Sequence, residues 1–356
     1  MRRGVAELPL HGGSAPKWLF ERMRKLSRAI TQIIIEEYGE IEFLRRISDP
    51  FWFQSLGCVL GFDWHSSGLT TTLCAALKEG IRGMERDLGI YIAGGKGKTS
   101  RKTPEEIEFY SLKSGAPGNR LVYASRMAAK VDSAGLQDGY QLYHHTFFFT
   151  KEGEWAVVQQ GMNPETKWAR RYHWLSEDIT DFVIEPHKAI LCDYKGDVLN
   201  MVDRKSKKTQ EISVEISKEP PDKIARELKK IRELHLEAHH PILYTDIDPK
   251  RIERILLKTY ENPPKDFEAL LGREGIGPKT IRALALISEV AYGAEPSYKD
   301  PVSYSFAHGG KDGHPYPINR AHYDKSIETL ERAIKEAKIG RREKLDALKR
   351  LGRIWM

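Results

Sequence analysis

The chain has 356 residues, with 57 Lys plus Arg against 50 Asp plus Glu and a formal charge of +7. That length suggests about two domains, 40% hydrophobic content is enough for ordinary cores, and no apolar run approaches the roughly 18 residues a membrane span needs; global disorder and a spanning segment are therefore not expected. Divided at 203/204, the first part carries 26 basic and 26 acidic side chains and the second 31 and 24, so the whole excess lies in the C-terminal part and points to a polyanionic partner.

At the N-terminus, basic Arg2 and Arg3 are followed by Glu7 and His11, where a secretory signal needs an apolar stretch. Cys58, Cys74 and Cys192 show no metal-ligand spacing, and the expected compartment is the reducing cytoplasm. His11-Gly12-Gly13-Ser14 turns the chain or binds an anion ahead of a helix over 16–47, where Leu19, Met23, Leu26, Ile30, Ile33 and Ile34 recur at helical spacing. Pro50-Phe51-Trp52-Phe53 is expected to be an aromatic-rich turn, and 69–87 helix again. Gly89 to Ala93 suits a short strand. The following Gly94-Gly95-Lys96-Gly97-Lys98-Thr99 is expected to be a basic loop and not a phosphate-binding P-loop, because the first glycine of that motif is replaced by Ile92. Thr103-Pro104-Glu105-Glu106 reads as a capping box opening a helix.

The clearest β signal runs from 139 to 162: an aromatic and β-branched strand, a Lys151-Glu152-Gly153-Glu154 turn and a returning strand. Further strands are expected within 182–192 and 197–202. Trp168 to Trp174 interleaves cations with aromatics, which suits a nucleic-acid surface or buried cation–π packing equally. Residues 204–221 are charged and end in Pro220-Pro221, as a linker or exposed edge hairpin would. Helical patterns follow at 222–238, 249–260, 264–271, 279–292, 321–338 and 341–352. The expected architecture is an α+β (or α/β) domain over 1–203 containing a β-hairpin sheet, a charged linker over 204–221, and an all-α domain over 222–356.

Within that last part, Phe267 to Leu284 resembles a helix-hairpin-helix, with Gly275-Ile276-Gly277 as the turn. The glycines permit positive φ and close approach, Ile276 packs inward, and the next helix offers its N-terminal amides to a phosphate. The expected DNA-binding residues are Gly275, Ile276, Gly277, Lys279, Thr280 and Arg282, joined by His308 and Lys311 from a long Gly/Pro/aromatic loop that also carries Tyr304, His314 and Tyr316. The partner is expected to be nucleic acid, with DNA favoured over RNA, and the membrane is not a partner. The motif is similar to that of the DNA glycosylase superfamily. This resemblance implies Lys279 as an amine nucleophile and Asp300 as its carboxylate, although Asp300 stands in Lys299-Asp300-Pro301 and not in the Val-Asp-Thr-His setting usual there.

Polar residues set in apolar strings mark a second candidate centre in the N-terminal part. Asp63, His65, Lys130, Asp132, Asp138 and His144 are the candidate catalytic residues, with Asp63, His65 and Asp132 as ligands of a divalent ion, magnesium or manganese, and Lys130 holding phosphate. Because strands alternate faces, only one of His144 and His145 is expected to point inward. No nucleotide cofactor is expected. Three readings stay open: a metal-dependent nuclease, a glycosylase or lyase, and a non-catalytic DNA-binding or scaffold protein. Across nearly its whole length the chain resembles a prokaryotic, largely archaeal and thermophile family, domain of unknown function 763. Pro9 to Gly13, Gly61 to Gly68, Leu136 to Tyr140, Tyr143-His144-His145, Val158 to Asn163 and Tyr298 to Pro315 carry the resemblance, which implies no activity.

Overall fold

The computed structural model describes residues 17–62, 68–233, 247–303 and 320–353. Helix α1 (Lys17–Ser48) is bent at Gly39, whose φ of 82° leaves the helical region. Residues 50–53 are not the expected turn but the start of α2 (Pro50–Leu60). Asp49 accepts the Trp52 amide at 2.6 Å as N-cap and Pro50 sits in the first turn, a helix-opening pair that also suits a turn when read as sequence. Then come α3 (Gly68–Ile81), α4 (Glu85–Leu88) and β1 (Ile90–Lys96). The expected basic loop is the end of β1 and a 3-10 turn, Gly97–Lys102. Helix α5 (Thr103–Ser114) starts without the capping box, because Thr103 donates its hydroxyl back to the Ser100 carbonyl at 2.7 Å. Helix α6 (Gly118–Lys130) runs into a π-helical turn, Val131–Gly135, and the short β2 (Leu136–Gln137).

The expected hairpin is present as β3 (Gln141–Thr150) and β4 (Trp155–Met162). The cation–aromatic string is a buried strand, β5 (Ala169–Leu175), followed by β6 (Ala189–Leu191) and β7 (Leu199–Asn200). The main sheet is antiparallel throughout, in the order β1-β3-β4-β5-β6, while β2 pairs with β7. The fold is therefore α+β. Residues 204–221 are not an exposed linker. They hold α7 (Lys207–Ser217), whose Thr209, Gln210, Ser213, Val214 and Ile216 are buried. The remaining helices are α8 (Pro221–Glu233), α9 (Pro249–Glu261), α10 (Phe267–Leu271), α11 (Pro278–Tyr292), α12 (Arg320–Glu336) and α13 (Arg341–Arg353).

Both faces of the sheet are covered. One core joins Phe147, Phe149, Val157, Tyr172 and Trp174 to α6 and to Ile281 and Leu284 of α11. The other joins Phe148, Ala156 and Val158 to α1, α2 and α3 and to Leu330, Ile334 and Leu351 of α12 and α13. Each core thus draws on residues from both sides of position 204. Among the described residues no helix is long and apolar enough to cross a membrane.

Candidate nucleic-acid interface and buried polar sites

Helix α10 is capped by Asp266, which accepts the Ala269 amide at 2.7 Å, and six residues, 272–277, separate it from α11, which begins at Pro278. In the turn between them Gly275 has φ 87°, in the left-handed region that disfavours side chains, while Gly277 is extended. Ile276 is buried, as its packing role requires. The carbonyls of the turn are claimed from within the protein. Lys130 donates to Arg273 O at 3.2 Å and to Ile276 O, and Gln137 donates to Pro278 O at 2.9 Å while accepting from Arg282 Nε at 2.9 Å. The amides of Gly275, Gly277 and Lys279 make no hydrogen bond among the described residues. Lys279 is exposed, whereas Thr280 is buried and Arg282 half-buried. Of the expected phosphate contacts, Gly275, Gly277 and Lys279 thus lie at the surface and Thr280 faces inward; His308 and Lys311 lie outside the described residues. Lys130, placed by sequence in a catalytic centre, is an anchor of the turn, and burial lowers its pKa.

The embedded polar doublets of β3 and β4 have a structural explanation. His144 pairs with Gln160 and His145 with Gln159, and the rows continue to Arg171 and Tyr172 on β5 and to Lys96 and Gly95 on β1. Because helices cover both faces, both histidines are buried, contrary to the expectation of one inward ring. On the α6 face a chain of hydrogen bonds runs through the sheet. Ser125 Oγ meets His145 Nε2 at 2.8 Å, His145 Nδ1 donates to Gln159 Oε1 at 2.8 Å, and Gln159 Nε2 donates to Asp132 Oδ2 at 2.5 Å. Trp174 Nε1 reaches the same oxygen at 3.0 Å and His187 Nε2 the other. Asp132 is fully buried with both oxygens occupied by donors, and Ser125 is buried as well. This satisfied network orders the core and offers substrate no access.

Asp138 and Asp300 share Arg170. Arg170 Nη1 lies 3.0 Å from Asp138 Oδ2 and Nη2 2.7 Å from Asp300 Oδ2, with Arg170 stacked 4.4 Å over Tyr140. Asp300 also accepts the Gly196 and Val302 amides at 3.0 and 3.1 Å, and Asp138 accepts Tyr172 Oη at 2.7 Å. Burial pushes the Asp138 carboxyl above its usual range, with Arg170 pulling the other way. Asp300, the carboxylate a lyase would require, is thus taken up in a buried ion pair. On the other face Arg171 donates to Gln54 Oε1 at 2.9 Å and sits 4.8 Å from the Phe53 ring, so β5 realises the buried cation–π alternative.

His144 donates to or accepts from Thr146 Oγ1 at 2.9 Å, and its Nδ1 is buried without a hydrogen-bond partner among the described residues. Burial, with His145 and Lys96 nearby, lowers its pKa to about 3. Thr146 also lines a cleft of about 1550 Å³ between α3, the end of β1 and α5. Glu106 is fixed there by Lys78 Nζ and the Gly94 amide, each at 2.6 Å. Burial raises the Cys74 thiol on this wall to about 12, which removes it as a nucleophile. Asp63 and His65 lie outside the described residues; Gly68, the next described residue, lines the cleft. Helices α2 and α3, which that segment joins, pack on the opposite sheet face from Asp132. Among the described residues no three His, Cys, Asp or Glu side chains group as metal ligands.

The model of a family described as protein of unknown function (DUF763) matches residues 4–318. The chain belongs to the DUF763 family. No curated protein and no solved structure matches it. Two of the stretches by which the chain resembles DUF763, Tyr143-His144-His145 and Val158 to Asn163, are the paired polar rows of β3 and β4. A third, Leu136 to Tyr140, contains the Gln137 that secures the turn before α11 and the Asp138 that pairs with Arg170. In these DUF763 stretches the polar residues His144, His145, Gln159, Gln160, Gln137 and Asp138 make hydrogen bonds within the protein, and the in-register pairing of the polar doublets is not visible from sequence.

Proposed function

We propose that this DUF763 protein binds DNA through its backbone at the Gly275–Lys279 turn, in the manner of a helix-hairpin-helix, and acts on DNA phosphodiesters as a nuclease. The observation that carries the reading is the division of polar groups in the turn: Lys130 and Gln137 take the carbonyls, while three amides and the exposed Lys279 stay available beside the start of α11. Amides and a lysine at a helix start suit a phosphate and are indifferent to base sequence. The basic surplus of 31 over 24 in residues 204–356 supports the same partner. A magnesium or manganese ion does not fit at Asp132, whose oxygens are filled by Gln159, Trp174 and His187. Asp63 and His65 remain the sequence candidates for a metal-assisted step.

Duplex affinity measured by fluorescence anisotropy should fall with rising salt, and Lys279→Ala should reduce the salt slope by about one. Gly277→Asp should lower affinity about tenfold or more by placing a carboxylate at the phosphate position. Unchanged affinity in both variants would remove the interface. Divalent-dependent cleavage that is lost in Asp63→Ala supports the nuclease assignment. Salt-dependent binding without turnover leaves a DNA-binding or scaffold protein instead.

A further inference from the structure

We propose that the cleft between α3, the end of β1 and α5 is a second nucleic-acid site, one that takes a single-stranded segment by base stacking on Phe109 and phosphate contact with Lys96 and Lys102. The proposal rests on the DNA-binding reading and adds the substrate class: a duplex with an unpaired stretch. Size is the first observation. About 1550 Å³ exceeds the roughly 300–1,000 Å³ of a small-molecule pocket and suits a polymer segment.

The charge left over in the cleft is positive. Of its acidic residues, Glu106 is paired with Lys78, Glu79 with Arg82 at 2.6 Å and Glu21 with Arg24 at 2.8 Å. Lys96 and Lys102 make no ion pair among the described residues, and neither does Lys17 at the far wall, against a lone Glu105. Phe109 lines the same cleft and is 52% exposed. Lys113 Nζ lies 3.9 Å from the Phe109 ring centroid, and Tyr110 stands edge-on to it at 5.5 Å. An exposed ring beside lysines is the arrangement by which single strands are held without sequence choice, bases on the π-face and phosphates on the cations. An acidic peptide would use the lysines and leave the ring idle, so the aromatic wall favours the nucleic acid.

The test uses the full chain with fluorescein-labelled oligothymidylate and a blunt duplex as separate probes. Phe109→Ala and the double change Lys96→Ala with Lys102→Ala should each weaken oligothymidylate binding about tenfold and leave blunt-duplex binding within twofold. Gly277→Asp should do the reverse, which separates failure of the cleft from failure of the turn. Phe109→Trp should preserve single-strand affinity and Phe109→Leu should not, a difference that mere packing would not produce. Wild-type protein that does not bind oligothymidylate, cleft variants that bind it unchanged, or variants that lose both probes alike would overturn the proposal. So would displacement of the oligothymidylate by polyglutamate at equal charge concentration.

Discussion

His144 holds its ring neutral between covered strands, and that state has a cost in acid. An unfolded histidine takes up a proton near pH 6.5, whereas the buried ring resists until about 3. The sign follows from the proton count: between these values the unfolded chain binds more protons than the folded one. The stabilisation is therefore complete above about pH 6.5 and is lost as pH falls toward 3. Each fully developed proton difference corresponds to about 1.4 kcal/mol per pH unit. Lys96, in register on β1, and His145, next in the strand, act in the same direction on the ring, and Thr146 is its hydrogen-bond partner. Denaturant titrations of His144→Gln from pH 7 to about pH 4 should show a stability curve shallower by close to one proton than that of the unaltered protein. Parallel curves would show that His144 is not the proton-linked group.

At the scale of elements, the end of β1 is fixed by backbone contact as much as by side chains. Gly94 has φ 88°, and a Cβ there would stand 2.2 Å from the His145 carbonyl oxygen and 2.5 Å from Thr103 Oγ1. Neither can retreat, because the carbonyl belongs to β3 and the hydroxyl holds the turn that opens α5. Gly94→Ala should cost about 2–5 kcal/mol and lower the melting temperature accordingly, whereas Gly97→Ala, with nothing within 4 Å of its Cβ position, meets only the φ penalty of about 1 kcal/mol. Equal losses in the two variants would show that β1 is not pinned at Gly94. The same segment shows where sequence reading succeeds and stops. The β3–β4 hairpin and most helices announce themselves by periodicity, and the glycines of Gly275-Ile276-Gly277 mark the turn between α10 and α11. Strand β5 does not, because Arg170, Arg171 and His173 suit an exposed face and a buried one equally until Asp138, Asp300, Gln54 and the Ile47 carbonyl are brought to them by distant elements. Asp132 and Lys130 carry catalytic residue types, yet their roles are set by partners 27 and 143 residues away.

Across the whole molecule, the C-terminal helices complete both cores, and this bears on how the chain unfolds. Leu330, Ile334 and Leu351 close the core over α1 and α2, while Ile281 and Leu284 close the one beneath α6. Polar ties cross the same divide: Arg350 Nε donates to the Val59 carbonyl at 2.7 Å, and Arg170 of β5 pairs with Asp300. Exposing five such buried aliphatic side chains costs about 1.5–3 kcal/mol each. The sum, about 7.5–15 kcal/mol, is comparable to the roughly 5–15 kcal/mol that separates a native protein from its unfolded state. A fragment of residues 1–203 should therefore lack a cooperative thermal transition, even though it contains every strand of the main sheet. The full chain should melt in one transition, with near-UV circular dichroism and far-UV signals coincident. A fragment that melts cooperatively by itself would show that α12 and α13 are accessories to the core over α1 and α2 and that the Gly275–Lys279 turn rides on a separable unit. Coincident loss of both signals in the full chain, with no transition in the fragment, would tie the Gly275–Lys279 turn, anchored by Lys130 of α6, to the integrity of the sheet.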